Sequence, residues 1–337
     1  MPQFIDLNRA EKNEIILRVS SHLKIAPVLV EKDFWVSWLL NKIFQQDFSK
    51  DITFKGGTSL SKCFGIISRF SEDLDLTINR DIFNGGQNNQ ELSRNALEKL
   101  IDSHDKLASA YVTNTFKPIL EKAIRVDLKD NHWQLVPDEN EPKNLRFIYP
   151  SIIKTFDNPY VKQSVLIELG VRGEITPFEV KTVNSFIDDV MADILETEAS
   201  LIRTLSPNRT FWEKITLLHA ENNRPQQKLS GDRLSRHYYD VHQLVEKGVA
   251  DVALQDLSLL RDVIEHKKKY FRAGWAKYEE AVPGSLRIYP HNNLKKELVE
   301  DYKQMEQMIF DTIHSFNEIL EAIKNFEETL NCSPTIN

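Results

Sequence analysis

The stretch Phe54-Lys55-Gly56-Gly57 constrains this chain more than any other. Two adjacent glycines end a short β-like run, Asp51-Ile52-Thr53-Phe54, and allow a sharp bend where a side chain would clash. Residues 58–67 then carry Leu60, Cys63, Phe64 and Ile67 at helical spacing. Residues 73–78 alternate polar and apolar, the two-residue period of a strand. The predicted order is strand, glycine turn, helix, strand, with the helix starting near Thr58.

The rest of the chain fits around that order. Residues 8–47 read as helices: Leu17, Val19 and Leu23 close one apolar face, and Val30, Phe34, Trp35, Trp38 and Leu39 recur in the next. Trp35 and Trp38 read as core. Residues 84–89 (NGGQNN) read as a loop and 91–110 as a helix. Three runs, 123–128, 145–149 and 164–169, read as strands between prolines and imply a mixed sheet. From about Ser185 onward the pattern is almost all helical. Leu294, Leu298, Tyr302, Met305, Ile309, Ile313, Phe316, Leu320 and Ile323 step by three or four, giving one long amphipathic helix or two joined. The expected class is α/β (α+β), with residues 1–200 forming an α/β module and residues 201–337 a helical one.

Bulk properties exclude several functions. With 43 Lys+Arg against 50 Asp+Glu, the net charge is −7, unlike a general nucleic-acid coat protein. A nucleic-acid partner would use local patches. Residues 203–236 carry seven basic and three acidic residues, and 261–277 carry six and two; solvated helix faces are the plainer reading of both. The two cysteines, Cys63 and Cys332, have no metal-ligand spacing and point to a reducing cytoplasm. No run reaches the ~18 apolar residues of a membrane span.

The chemistry concentrates after the bend. Asp73 and Asp75 stand two apart on a predicted strand, so they share a face with Cα atoms roughly 6–7 Å apart. Two carboxylates so placed suit Mg²⁺ (or Mn²⁺), which takes oxygen ligands and shares its shell with phosphates. Gly56 and Gly57 let a phosphate approach the backbone, and Thr58, Ser59 and Ser61 offer hydroxyls. Solvated aspartates beside an ordinary glycine turn are the alternative. His219 and His237 lack a second ligand at metal spacing and read as structural. Cys63 reads as a small buried hydrophobe.

The run GGTSLSKCFGIISRFSEDLDL resembles motif I of the AbiEii/MenT nucleotidyltransferase toxins, within the polymerase-β-like nucleotidyltransferase superfamily. Glu31-Lys32-Asp33-Phe34-Trp35 is similar to that family's N-terminal segment, Thr210-Phe211-Trp212-Glu213-Lys214 to its lysine motif, and Arg236-His237-Tyr238-Tyr239-Asp240 to its later aspartate motif. The resemblance implies a polymerase-β-like catalytic domain with a helical C-terminal domain. It implies that Asp73 and Asp75 ligate metal, that Lys214 contacts the phosphates of an NTP, and that Asp240 completes the site. A solvated lysine, and a salt bridge to Arg233 or Arg236, are the plainer readings of the last two. Superfamily members often add a third carboxylate on a neighbouring strand. Glu168 is the best-placed acid, as a site residue or a buried salt-bridge partner, with Glu179 and Asp127 as alternatives.

Two functions follow. One is a toxin enzyme transferring a nucleotide from an NTP to an acceptor hydroxyl, with an RNA such as tRNA as acceptor and a cognate antitoxin as partner. The other is a nucleotide- or RNA-binding module without transfer activity. An intact Asp73/Asp75 pair favours the enzyme.

Overall fold

The computed structural model describes residues 1–84, 93–129, 132–153, 162–225 and 233–332. The expected loop at 84–89 falls almost wholly outside the described residues. The chain divides into two units: Met1–Cys63 with Ser71–Leu205, and Phe64–Phe70 with Ser206–Asn337.

The first unit holds a seven-stranded sheet in the order β3-β4-β5-β2-β1-β7-β6. Its strands are β1 (Ile52–Lys55), β2 (Leu74–Ile78), β3 (Gln134–Pro137), β4 (Leu145–Ile148), β5 (Ser164–Gly170), β6 (Phe178–Lys181) and β7 (Ile202–Leu205). The β2–β5 and β1–β7 pairs are parallel and the others antiparallel, so the sheet is mixed, as expected. The unit's helices are α1 (Arg9–Leu23), α2 (Pro27–Phe44), α3 (Gly56–Lys62), α4 (Asp81–Asn84), α5 (Arg94–Tyr111), α6 (Lys117–Leu128) and α7 (Phe186–Val190). Asn8 opens α1 through a capping box with Glu11, and Pro27 opens α2 where a missing N–H is harmless. Trp35 stacks on Tyr149 at 5.4 Å in the core, and Trp38 packs beside Phe147 at 6.0 Å.

Four sequence readings change. Residues 123–128 lie in α6 rather than a strand. Four residues in the region expected to be helical form β7. The helix after β1 begins at Gly56 itself and ends at Lys62, so the glycines are its first turn. Asp73 stands one residue before β2 rather than on it.

The second unit is helical: α8 (Pro207–Asn222), α9 (Ser235–Glu246), α10 (Val249–Leu254), α11 (Ser258–Tyr270), α12 (Asn292–Met305) and α13 (Phe316–Cys332). The long C-terminal pattern is thus two helices, broken after Met305. Helix α8 packs against α9, α10 and α11 and is buried on nearly every side, including Phe211, Trp212, Ile215 and Leu218. The segment Phe64–Phe70 is tied in by the Phe70 N–H donating to Met308 O at 2.7 Å and the Phe310 N–H donating to Ser68 O at 2.8 Å. No helix among the described residues is long and apolar enough to cross a membrane.

Candidate active site

Strand register sets three side chains in a row. Lys55 pairs with Asp75 across β1–β2, and Asp75 pairs with Glu168 across β2–β5. Paired residues on neighbouring strands project to one face. Phe54, Leu74, Leu76, Ile167 and Leu169 alternate to the other face and are all buried. The sheet centre is thus apolar on one side and carries Lys55, Asp75 and Glu168 on the other.

Asp75 leans on the glycine turn. A Cβ added at Gly56 would fall 1.9 Å from Asp75 Oδ2, and Gly56 has φ +81°, a region that favours glycine. The carboxylate therefore occupies the space that a side chain at position 56 would fill. Asp73 is fixed through its backbone: Thr58 Oγ1 donates to the Asp73 carbonyl at 2.6 Å and shares a hydrogen bond with Ser71 Oγ at 2.9 Å. Ser59 Oγ donates to Gly56 O at 2.9 Å. Both hydroxyls are fully buried, so Thr58 and Ser59 brace the turn instead of offering donors to a phosphate. Ser61 is half-buried.

Glu168 is exposed, not buried as its apolar neighbours suggested, because Val165, Ile167 and Leu169 alternate to the core face and Glu168 lies on the other. The two alternative acids are displaced from this row. Asp127 lies on α6 and pairs with Lys42 at 2.7 Å. Glu179 pairs in register with Thr204, which pairs with Phe54, so it shares the face of Phe54. Among the described residues no three of His, Cys, Asp and Glu form a group able to hold a metal by themselves. Asp73, Asp75 and Glu168 are therefore not a closed cage. Mg²⁺ fits such a set, because it is commonly held by one or two carboxylates together with substrate phosphates.

Lys55 is a residue that reading the motif alone did not single out. Its ammonium lies against Gly173, where an added Cβ would come within 2.9 Å of Nζ. Only the strand pairing shows that it stands beside Asp75.

The second unit contains its own charged cluster. Arg69 grips Asp240 with two hydrogen bonds, Nε to Oδ1 at 2.8 Å and Nη2 to Oδ2 at 2.9 Å. Lys214 Nζ donates to Asp240 Oδ2 at 2.8 Å and lies 3.2 Å from His237 Nδ1. Lys214 is buried, not a solvated helix lysine. Burial alone would raise the Asp240 pKa, but Arg69 and then Lys214 outweigh it and hold the carboxyl below the carboxylate range. Burial, followed by the charges of Lys214 and Arg236, keeps the His237 imidazole neutral far below its ordinary value. The ion pairs of Asp240 thus run to Arg69 and Lys214, neither of them the arginines expected. His219 is structural, accepting from the Arg287 N–H at Nδ1 (3.1 Å) with Nε2 at 3.1 Å from Lys277 O. Arg69 and His237 sit inside the quoted motifs, yet nothing local marks them as partners of Lys214 and Asp240.

The family model described as nucleotidyl transferase AbiEii toxin, type IV toxin–antitoxin system, matches residues 38–330. No match is found among curated proteins. Among solved structures, MenT4, a nucleotidyltransferase toxin from Mycobacterium tuberculosis H37Rv, matches at 15% identity over 96% of this chain and 97% of that one, with a TM-score of 0.46.

Proposed function

We propose that this chain, which belongs to the AbiEii family of nucleotidyltransferase toxins, transfers a nucleotide from an NTP to an acceptor hydroxyl. The observation that carries this reading is the seat of Asp75 against Gly56, 1.9 Å from where a Cβ would be. It supports a carboxylate acting directly beside a turn that has no side chain of its own at position 56. Asp73 and Asp75 are assigned to hold Mg²⁺ or Mn²⁺, with Glu168 completing the oxygen set. When bound, the ion neutralises charge on the transferring phosphate. The acceptor oxygen bonds to the α-phosphorus, the bond from that phosphorus to the bridging oxygen breaks, and pyrophosphate leaves. The hydroxyl proton is assigned to Glu168, the exposed acid beside Asp75.

Gly56 and Gly57 are assigned to the phosphate approach, braced by Thr58 and Ser59, with the Ser61 hydroxyl, further along α3, as an added donor. Lys214 is assigned to the phosphates, its ammonium held by Asp240 and His237. An RNA acceptor such as tRNA, and a cognate antitoxin, extend the reading. Lys267, Lys268 and Lys269 at the end of α11 are suited to a phosphate backbone.

The test is incubation with labelled NTPs, Mg²⁺ and total RNA. Wild type should label RNA, and Asp75→Ala should abolish the label. Binding without transfer by wild type would replace the enzyme with a binding module. Growth of a bacterial host should be arrested by wild type and restored by Asp73→Ala; equal growth would remove the toxin role.

A further inference from the structure

Glu31, Lys32 and Asp33 are consecutive on α2 and only 1%, 1% and 3% exposed. Burying an ion costs several kcal/mol unless its partner is well placed. Each of the three is matched, and each to a different segment. Glu31 accepts from the Ile152 N–H (2.6 Å), the Ile153 N–H (3.3 Å) and Ser151 Oγ (2.7 Å). Asp33 takes Lys62 Nζ at 2.5 Å and the Phe186 N–H at 2.7 Å. Lys32 pairs with Glu72 and donates to Lys162 O at 2.8 Å.

Two of these segments are the ends of one excursion of the chain. Lys62 closes α3, and Glu72 is the residue before Asp73. The residues between them, Phe64–Phe70, belong to the second unit. The chain thus leaves the first unit after Cys63 and returns at Ser71. Helix α2 grips it immediately before and after.

We propose that Asp33 and Lys32 are positioning residues that fix where the chain leaves and re-enters the first unit, and that the Lys32 contact so fixes Asp73 and Asp75. This rests on the reading of those aspartates as metal ligands. Pinning Lys62 and Glu72 prevents the intervening segment from dragging the aspartates off the glycine turn. A structural role alone would make a different demand. Replacing a buried ion pair by apolar groups of similar volume is often neutral for stability, so fold and position can be separated.

The test uses the full chain carrying Lys32→Met with Glu72→Met. Three quantities are measured: the thermal midpoint, backbone hydrogen exchange over residues 71–76, and Mn²⁺ affinity. With the midpoint retained, exchange over 71–76 should rise and Mn²⁺ affinity should fall by about 10–100-fold, the usual loss when a ligand's supporting partner is removed. Restoring the pair in reverse, Lys32→Glu with Glu72→Lys, should recover part of both. Unchanged exchange together with unchanged affinity would overturn the proposal. Should the double variant unfold, Glu72→Gln carries the same readouts, because it keeps the shape and removes only the charge. If wild type binds no Mn²⁺, the metal reading fails, and the exchange readout alone decides the positioning role.

Discussion

At the scale of single residues, the strongest constraint is steric. Gly56 combines a positive φ with the Asp75 carboxylate packed on its Cα, so Gly56→Ala must both strain the backbone and expel Oδ2. The left-handed conformation costs a non-glycine residue roughly 1–2 kcal/mol. Displacing a reacting group by about 1 Å costs on the order of 10²-fold in rate. Gly56→Ala should therefore fold with a modest loss of stability yet lose at least that much transfer activity, read from initial rates of NTP labelling. Near-wild-type rates would mean that Asp75 does not act from the seat seen here. The strand that carries Asp75 was legible from residue order, because period two is a local property, but its start was not, and Asp73 lies one residue before it. The direction of the Thr58 and Ser59 hydroxyls was not legible either. It depends on which carbonyls the fold brings within reach, and those are the Asp73 and Gly56 oxygens.

At the scale of elements, legibility followed which apolar residues are truly buried. Strands β4 and β5 alternate cleanly, and their core-facing residues are buried. In residues 123–128, Ile124, Val126 and Leu128 alternate just as well, but Val126 is 73% exposed. The real stripe is Leu120, Ile124 and Leu128, four apart, and it starts upstream of the run. Strand β7 escaped notice because four residues carry too little pattern. On α8 the position of Lys214 was legible and its burial was not, since its partners come from Arg69 and α9. Those partners set an order of stabilities. Asp240→Asn strands two buried cations, Arg69→Met strands a carboxylate that keeps only Lys214, and Lys214→Met leaves the two Arg69 bonds intact. Breaking a buried pair costs about 3–5 kcal/mol. Urea unfolding should therefore rank Asp240→Asn and Arg69→Met as severely destabilised and Lys214→Met as the mildest, while Lys214→Met still loses NTP labelling. A Lys214→Met variant less stable than Arg69→Met would contradict this division of roles.

At the scale of the whole molecule, the buried histidines of the second unit and the buried Glu31 of the first respond to acid with opposite sign. In the second unit, burial lowers the pKa of His219, His237 and His242 below the ordinary value of 6.5. Between the folded value and 6.5, the unfolded chain takes up protons that the folded one refuses, so stability falls as pH drops through that window. In the first unit, burial raises the Glu31 pKa above 4.5 despite the N–H groups that oppose it. There the folded state keeps a proton that the unfolded chain has lost, so stability rises as pH falls toward 4.5. Each proton contributes at most about 1.4 kcal/mol per pH unit. Lowering the pH from about 7.5 to about 5.5 should therefore weaken α8 and α9 while sparing β2 and β5. Hydrogen exchange corrected for intrinsic rates reads the two sets of amides in one sample. His237→Asn should flatten the slope in the second unit by one proton's worth without touching the first. A loss of protection equal in both units, or a slope unchanged in His237→Asn, would show that the imidazoles buried around Lys214 and along α9 are not what acid attacks.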